Sequence, residues 1–156
     1  MALVCSICLI SCGSLKPVSI TRNGSLADYK YVYITPTAVK SSTEGGVYGN
    51  QYGVYGASNS KSITPSETIA GYFLKKGYVI LPQLKPELED QTVVVNFGES
   101  GKRNLNLGYT LEVTIQVISA KTSEVICQGV AEGQGSTETD DIRIAIRRCM
   151  EEMLGK

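Results

Sequence analysis

Histidine and tryptophan are both absent from the 156 residues. Without histidine the chain lacks the side chain that titrates nearest neutrality and the commonest nitrogen ligand for metals. Hydrolytic and metal-dependent chemistry lose their usual carriers. Also missing is any excess of charge: Lys+Arg is 15 and Asp+Glu is 15, for a formal net charge of zero. A nucleic-acid partner calls for a basic face that this balance does not supply. No P-loop or dinucleotide fingerprint occurs. The adjacent acids Glu89-Asp90 and Asp140-Asp141 imitate a catalytic pair, but they flank a strand and a helix start, where acids have structural reasons to stand. The expectation is a non-enzymatic protein without cofactor or metal.

What is present begins with cysteine. Cys5, Cys8 and Cys12 crowd the first dozen residues, and Cys127 and Cys149 lie near the far end. Cys5 and Cys8 have the spacing of a redox motif but sit in an apolar run, Ala2 to Ile10, with no βαβ context. That run is too short to span a bilayer and fits the apolar core of a signal peptide. It ends in Leu9-Ile10-Ser11-Cys12, which resembles the lipobox of bacterial lipoproteins: an aliphatic residue, a small residue, then cysteine. The resemblance implies removal of residues 1–11 and acylation of Cys12, and two or more acyl chains give durable membrane attachment. Gly13 follows in place of an aspartate, which implies sorting to the outer membrane with the domain facing the periplasm. The first positive charge is Lys16, so either the true start lies upstream of Met1 or the segment is a buried N-terminal strand or helix instead of a signal peptide.

Residues 12–27 read as a lipidated tether, with Pro17 and the Asn23-Gly24 turn pair, able to reach about 45 Å if extended. A single α+β domain is expected over 28–156. Tyr29 to Ile34 reads as an interior strand. Residues 41–62 carry Tyr-Gly three times and read as a loose loop or hairpin, or else as an adhesive surface built on Tyr48, Tyr52 and Tyr55. Thr64-Pro65-Ser66-Glu67 is a capping box opening a helix that runs to Lys76, with Gly77 just past its end and Gly71 implying close packing on a neighbour. Strands follow at Tyr78–Leu81 and Val93–Phe97, with a turn over Gly98–Lys102. Tyr109 to Ser119 alternates and pairs with Glu124–Glu132, whose face of Val125, Cys127, Gly129 and Ala131 leaves room for a helix. That helix carries Ile142, Ala145, Ile146, Cys149 and Met153 on one stripe, with Arg147–Glu151 and Arg148–Glu152 spaced as ion pairs. The result is a mixed, mostly antiparallel sheet of about five strands with two helices on one face.

Cys127 and Cys149 are placed on facing surfaces. A bond between them would close a loop of about twenty residues and contribute about 3 kcal/mol. A strand-to-helix spacing near 10 Å favours two separate thiols instead, since bonded cysteines hold their Cα atoms within about 7 Å.

The order of elements, the helix exit Leu74 to Tyr78, the turn Ala120-Lys121-Thr122-Ser123-Glu124 and the closing segment Ala131 to Leu154 resemble a group of bacterial envelope lipoproteins. The group includes the curli-secretion lipoprotein, the outer-membrane activators of penicillin-binding proteins, and uncharacterised lipoproteins of Bacteroidetes. The resemblance implies the fold and an envelope location, and with no catalytic constellation in the sequence the expected function is a binding or assembly module for an envelope complex, joined to the membrane through Cys12. The alternative is a glycan- or peptidoglycan-binding lipoprotein that stacks sugar rings on the tyrosines of the Tyr/Gly segment.

Overall fold

A computed structural model describes residues 14–50, 53–105 and 108–155, with the side chains of 45–58 left aside. Its fold is α+β. Eight strands and two helices follow the order β1 (Ser19–Arg22), β2 (Tyr31–Ile34), β3 (Lys40–Asn50), β4 (Gly53–Ile63), α1 (Pro65–Lys75), β5 (Val79–Leu81), β6 (Thr92–Asn104), β7 (Tyr109–Ser119), β8 (Val125–Gly133) and α2 (Glu138–Leu154). Six strands form one sheet in the order β1-β8-β7-β6-β2-β5, and β3 with β4 forms a separate ribbon. β2 pairs in parallel with β5 and β6, while the other pairings are antiparallel.

The core follows from period-two alternation. Leu111, Val113, Ile115 and Val117 of β7 are fully buried, as are Val93 and Val95 of β6 and Val32 of β2. Both helices pack on this face, α1 through Ile69 and Phe73, and α2 through Ile142, Ala145, Ile146, Cys149, Met150 and Met153. Each Val, Leu, Ile, Phe or Met side chain so removed from water contributes on the order of 1.5–3 kcal/mol. Two glycines let α2 approach the sheet. A β-carbon on Gly129 would overlap the Cys149 sulfur, and one on Gly133 would overlap the Asp141 carbonyl oxygen.

Several sequence expectations need correction. The sheet has six strands because part of the expected tether is β1, paired in register Ser19↔Val130 to Arg22↔Cys127. Four residues with one large apolar side chain, Ile20, give too short an alternation to read as a strand. The turn expected over Gly98–Lys102 is instead strand: β6 continues to Asn104, and its glycines fall where the register slips between Glu99 and Gly101. The helix start at Thr64 is right, but the capping box is not made. Thr64 contributes no side-chain cap, and the amide of Ser66 donates instead to Thr37 Oγ1 at 3.0 Å. Gly71 does not mark close packing; a β-carbon there meets nothing within 4 Å. Arg148 is not spent on Glu152, for its guanidinium donates to the backbone oxygens of Glu132 and Lys16.

Cys127 and Cys149 are buried free thiols on the facing surfaces of β8 and α2. Burial pushes both thiols up, Cys149 to about 12. Neither is expected to react with a thiol-specific disulfide reagent in the folded protein at pH 8, and both should react once denaturant is added; a fast native reaction at either would contradict the packing of α2.

Candidate functional site

The residues singled out from the sequence fall in two places. Cys12 and Tyr52 lie outside the described residues. Tyr48 and Tyr55 are directly opposed in the β3–β4 ladder, which is in register from Lys40↔Ile63 to Asn50↔Gly53. The Tyr/Gly segment is therefore a hairpin, the second of the forms expected for it. The ladder's backbone pairing runs straight through its glycines.

The base of the ribbon is fastened to α2. Lys61 Nζ lies 2.7 Å from Asp140 Oδ2 and 3.3 Å from Glu44 Oε2. Ser42 Oγ accepts the amide of Thr139 at 3.1 Å, and Arg143 Nη2 donates to the Ser62 carbonyl at 3.3 Å. Asp140 also accepts from Ser136 and Thr137 hydroxyls at 2.9 Å each, so the Lys61 ammonium and these donors hold its carboxyl down to about 2. This acid clasps hairpin to helix.

A second cluster fixes the N-terminal residues, and nothing local in the sequence announced it. Glu132 of β8 is 2% exposed, yet charged. Arg103 of β6 meets it with a two-pronged bond, Nε to Oε1 at 2.9 Å and Nη2 to Oε2 at 2.7 Å. The Lys16 amide adds a bond to Oε2 at 2.9 Å, with Lys16 Nζ 3.6 Å from Oε1. Arg103, with these bonds behind it, holds the carboxyl down to about 2. The same guanidinium donates to the Ser14 carbonyl at 3.2 Å. The segment read as a tether is thus bound to the sheet from Ser14 onward.

A third feature is the sheet face turned away from the helices. Tyr31, Tyr33, Val94, Ile118 and Val130 are half-buried there among Asn96, Thr114, Gln116 and Gln128. Gln116 and Gln128 bridge neighbouring strands at 2.8 Å. The last feature is an open cleft of about 320 Å³ between the two helices, lined by Gly71, Tyr72, Lys75, Arg143 and Arg147. The space that Gly71 leaves is part of it. Among the described residues no three cysteines or acids gather as a metal site would require. No buried polar side-chain atom among them lacks a partner.

These features define an α+β domain with one open sheet face and a separate hairpin. Comparison with known proteins gives no match to any family model and none to a curated protein sequence. Among solved structures the chain is similar to the PelC dodecamer of Paraburkholderia phytofirmans in two crystal forms. A point variant of PelC is 15% identical, with 88% of this chain and 92% of that one covered and a TM-score of 0.47. The other form is 9% identical, with 89% and 97% covered and a TM-score of 0.48. A PDZ domain protein from Parabacteroides distasonis is 12% identical over 92% of this chain and 36% of that one, with a TM-score of 0.49.

Proposed function

We propose that the chain is a cell-envelope lipoprotein, held by acyl chains on Cys12 to the outer membrane and facing the periplasm. Its domain acts as a non-enzymatic binding or assembly module for an envelope complex. The lipobox-like end of the first segment supports the anchor. Among the described residues no helix is long and apolar enough to cross a membrane.

The observation that carries the binding role is the part of the sheet's second face that no helix covers. Tyr31, Tyr33, Val94, Ile118 and Val130 offer aromatic and branched apolar surface interleaved with amides, the mixture that protein interfaces use. The acids held down to about 2, Glu132 and Asp140, are engaged in ion pairs that join segments of the fold, which favours a structural role for them over proton transfer. The second reading, glycan binding by the hairpin, draws on the opposed positions of Tyr48 and Tyr55.

Crosslinking in intact native cells followed by capture of the full chain tests the proposal. A defined envelope complex is expected from the native protein and not from a Tyr33→Asp, Ile118→Asp variant that keeps its thermal midpoint. A saturable glycan signal lost in Tyr48→Ser, Tyr55→Ser, with the same complex recovered from both proteins or from neither, would overturn it in favour of the second reading.

A further inference from the structure

We infer that the domain sits directly on the bilayer, with the end of the β3–β4 hairpin seated in the lipid headgroup layer. The inference rests on acylation of Cys12.

The first observation is where Ser14 is held. Ser14 is held by Arg103, which is fixed in turn by the buried Glu132. Only Gly13 separates Ser14 from Cys12, so their Cα atoms can lie no more than about 7 Å apart. An acylated Cys12 therefore draws this end of the domain to the membrane surface and leaves no free tether of useful length.

The second observation is which other element leaves the domain at that end. Arg103 bonds Glu132, and its neighbour Lys102 bonds Glu138 at 3.1 Å, so Ser14 and the start of α2 share one end of the sheet. The hairpin runs toward the same end. Lys40 at its base lies 3.0 Å from Glu99 in β6, Ser42 reaches Thr139 at the start of α2, and Lys61 reaches Ser136 just before it. Beyond Glu44↔Asn59 the ladder continues for six more paired positions, Gly45↔Ser58 to Asn50↔Gly53. At about 3.3 Å per residue this is about 20 Å of ribbon, more than the short link from Ser14 to Cys12 can span.

The third observation is composition. Residues 45 to 60 contain no charged side chain, while Glu44 and Lys61 bound the stretch. Tyrosine, valine, glycine and small amides make up most of it. Tyrosine is enriched at the membrane–water interface because its ring is apolar and its hydroxyl is not. Backbone groups already paired across the ribbon lower the cost of leaving water.

The chain has no tryptophan, so one introduced residue reports alone. Tyr48→Trp, Tyr55→Trp and, at the opposite end in the β7–β8 turn, Lys121→Trp would each be made in the full-length lipoprotein. The purified proteins are reconstituted in phosphatidylethanolamine–phosphatidylglycerol vesicles with or without brominated acyl chains. Intact mass is measured on each sample, and thermal melts confirm that the variants are folded. The expected result is an acylated mass, with blue-shifted emission that brominated lipid quenches for the two hairpin variants and unshifted, unquenched emission for Lys121→Trp. An acylated protein whose hairpin variants emit as in water, or are quenched no more than Lys121→Trp, would overturn the seating while leaving the lipoprotein reading intact. An unmodified Cys12 would overturn the lipoprotein reading and the inference with it.

Discussion

Gly133→Ala is expected to remove a large share of the domain's stability. Gly133 ends β8 where α2 crosses, opposite Leu111. The added carbon would overlap the Asp141 carbonyl oxygen and stand 2.8 Å from the Ala145 amide nitrogen. Both atoms belong to the helix backbone, so no rotamer change relieves the clash and α2 must lift as a unit. Lifting it opens contacts made by Ile142, Ala145 and Ile146, all fully buried. A loss of about 3 kcal/mol or more follows, at the top of the range for overpacking. That corresponds to about 10 °C in Tm for a chain of this size. Gly129→Ala should cost less, because its β-carbon would meet side-chain atoms of Cys149, Ile20 and Met153 that can shift. Gly71→Ala should raise Tm by about 1–3 °C, since it replaces glycine in a helix where nothing lies within 4 Å. Thermal melts of the three variants check the order; a Gly133→Ala protein as stable as the parent would mean that α2 does not lie against β8 as described.

The second large effect concerns Glu132. Arg103→Ala leaves this carboxylate 2% exposed with only Lys16 as a charged partner. Arg103 is partly exposed, but its loss takes from a buried acid both prongs of its strongest bond, so the variant should melt clearly below the parent. Arg103→Lys should recover part of the loss, because an ammonium keeps the charge but not the two-pronged geometry. The dependence on pH has a definite sign. The carboxyl is held at about 2 in the folded protein against 4.5 ordinarily. Its contribution is therefore complete above about 4.5 and disappears as pH falls toward about 2. Asp140, also held at about 2, acts in the same direction over nearly the same window. Asp141 acts against them, because burial raises its carboxyl, so its unfavourable contribution is relieved on acidification. Denaturant titrations from pH 7 to 2 should show the gap between native protein and Glu132→Gln closing below pH 4.5; a gap constant to pH 2 would remove the ion pair from the account.

The elements with strong periodicity were legible. Alternation in Tyr109–Ser119 gave β7 to the residue, and the spacing of Ile142, Ala145, Ile146, Cys149 and Met153 gave the buried stripe of α2. Elements held by distant partners were not. β1 owes its existence to pairing with β8 and to Arg22, whose guanidinium donates to the Met153 carbonyl at 2.8 Å and the Glu152 carbonyl at 3.1 Å. The Glu132 cluster joins Lys16 and Arg103 across 116 and 29 positions, and no window along the chain contains both. Arg148 shows the same limit: its spacing to Glu152 fitted a helical ion pair, yet two backbone carbonyls distant in sequence lay within its reach. For the candidate site, the sequence marked the Tyr/Gly segment, while the direction in which its hairpin leaves the domain depends on contacts with Glu99, Thr139 and Ser136.

The mass of the N-terminal peptide from protein made in its native host tests the central claim most directly. The account predicts a chain that begins at Cys12, bears acyl groups and fractionates with the membrane, while Cys12→Ala yields an unacylated protein that does not. A native chain that retains residues 1–11 with an unmodified Cys12 would contradict it.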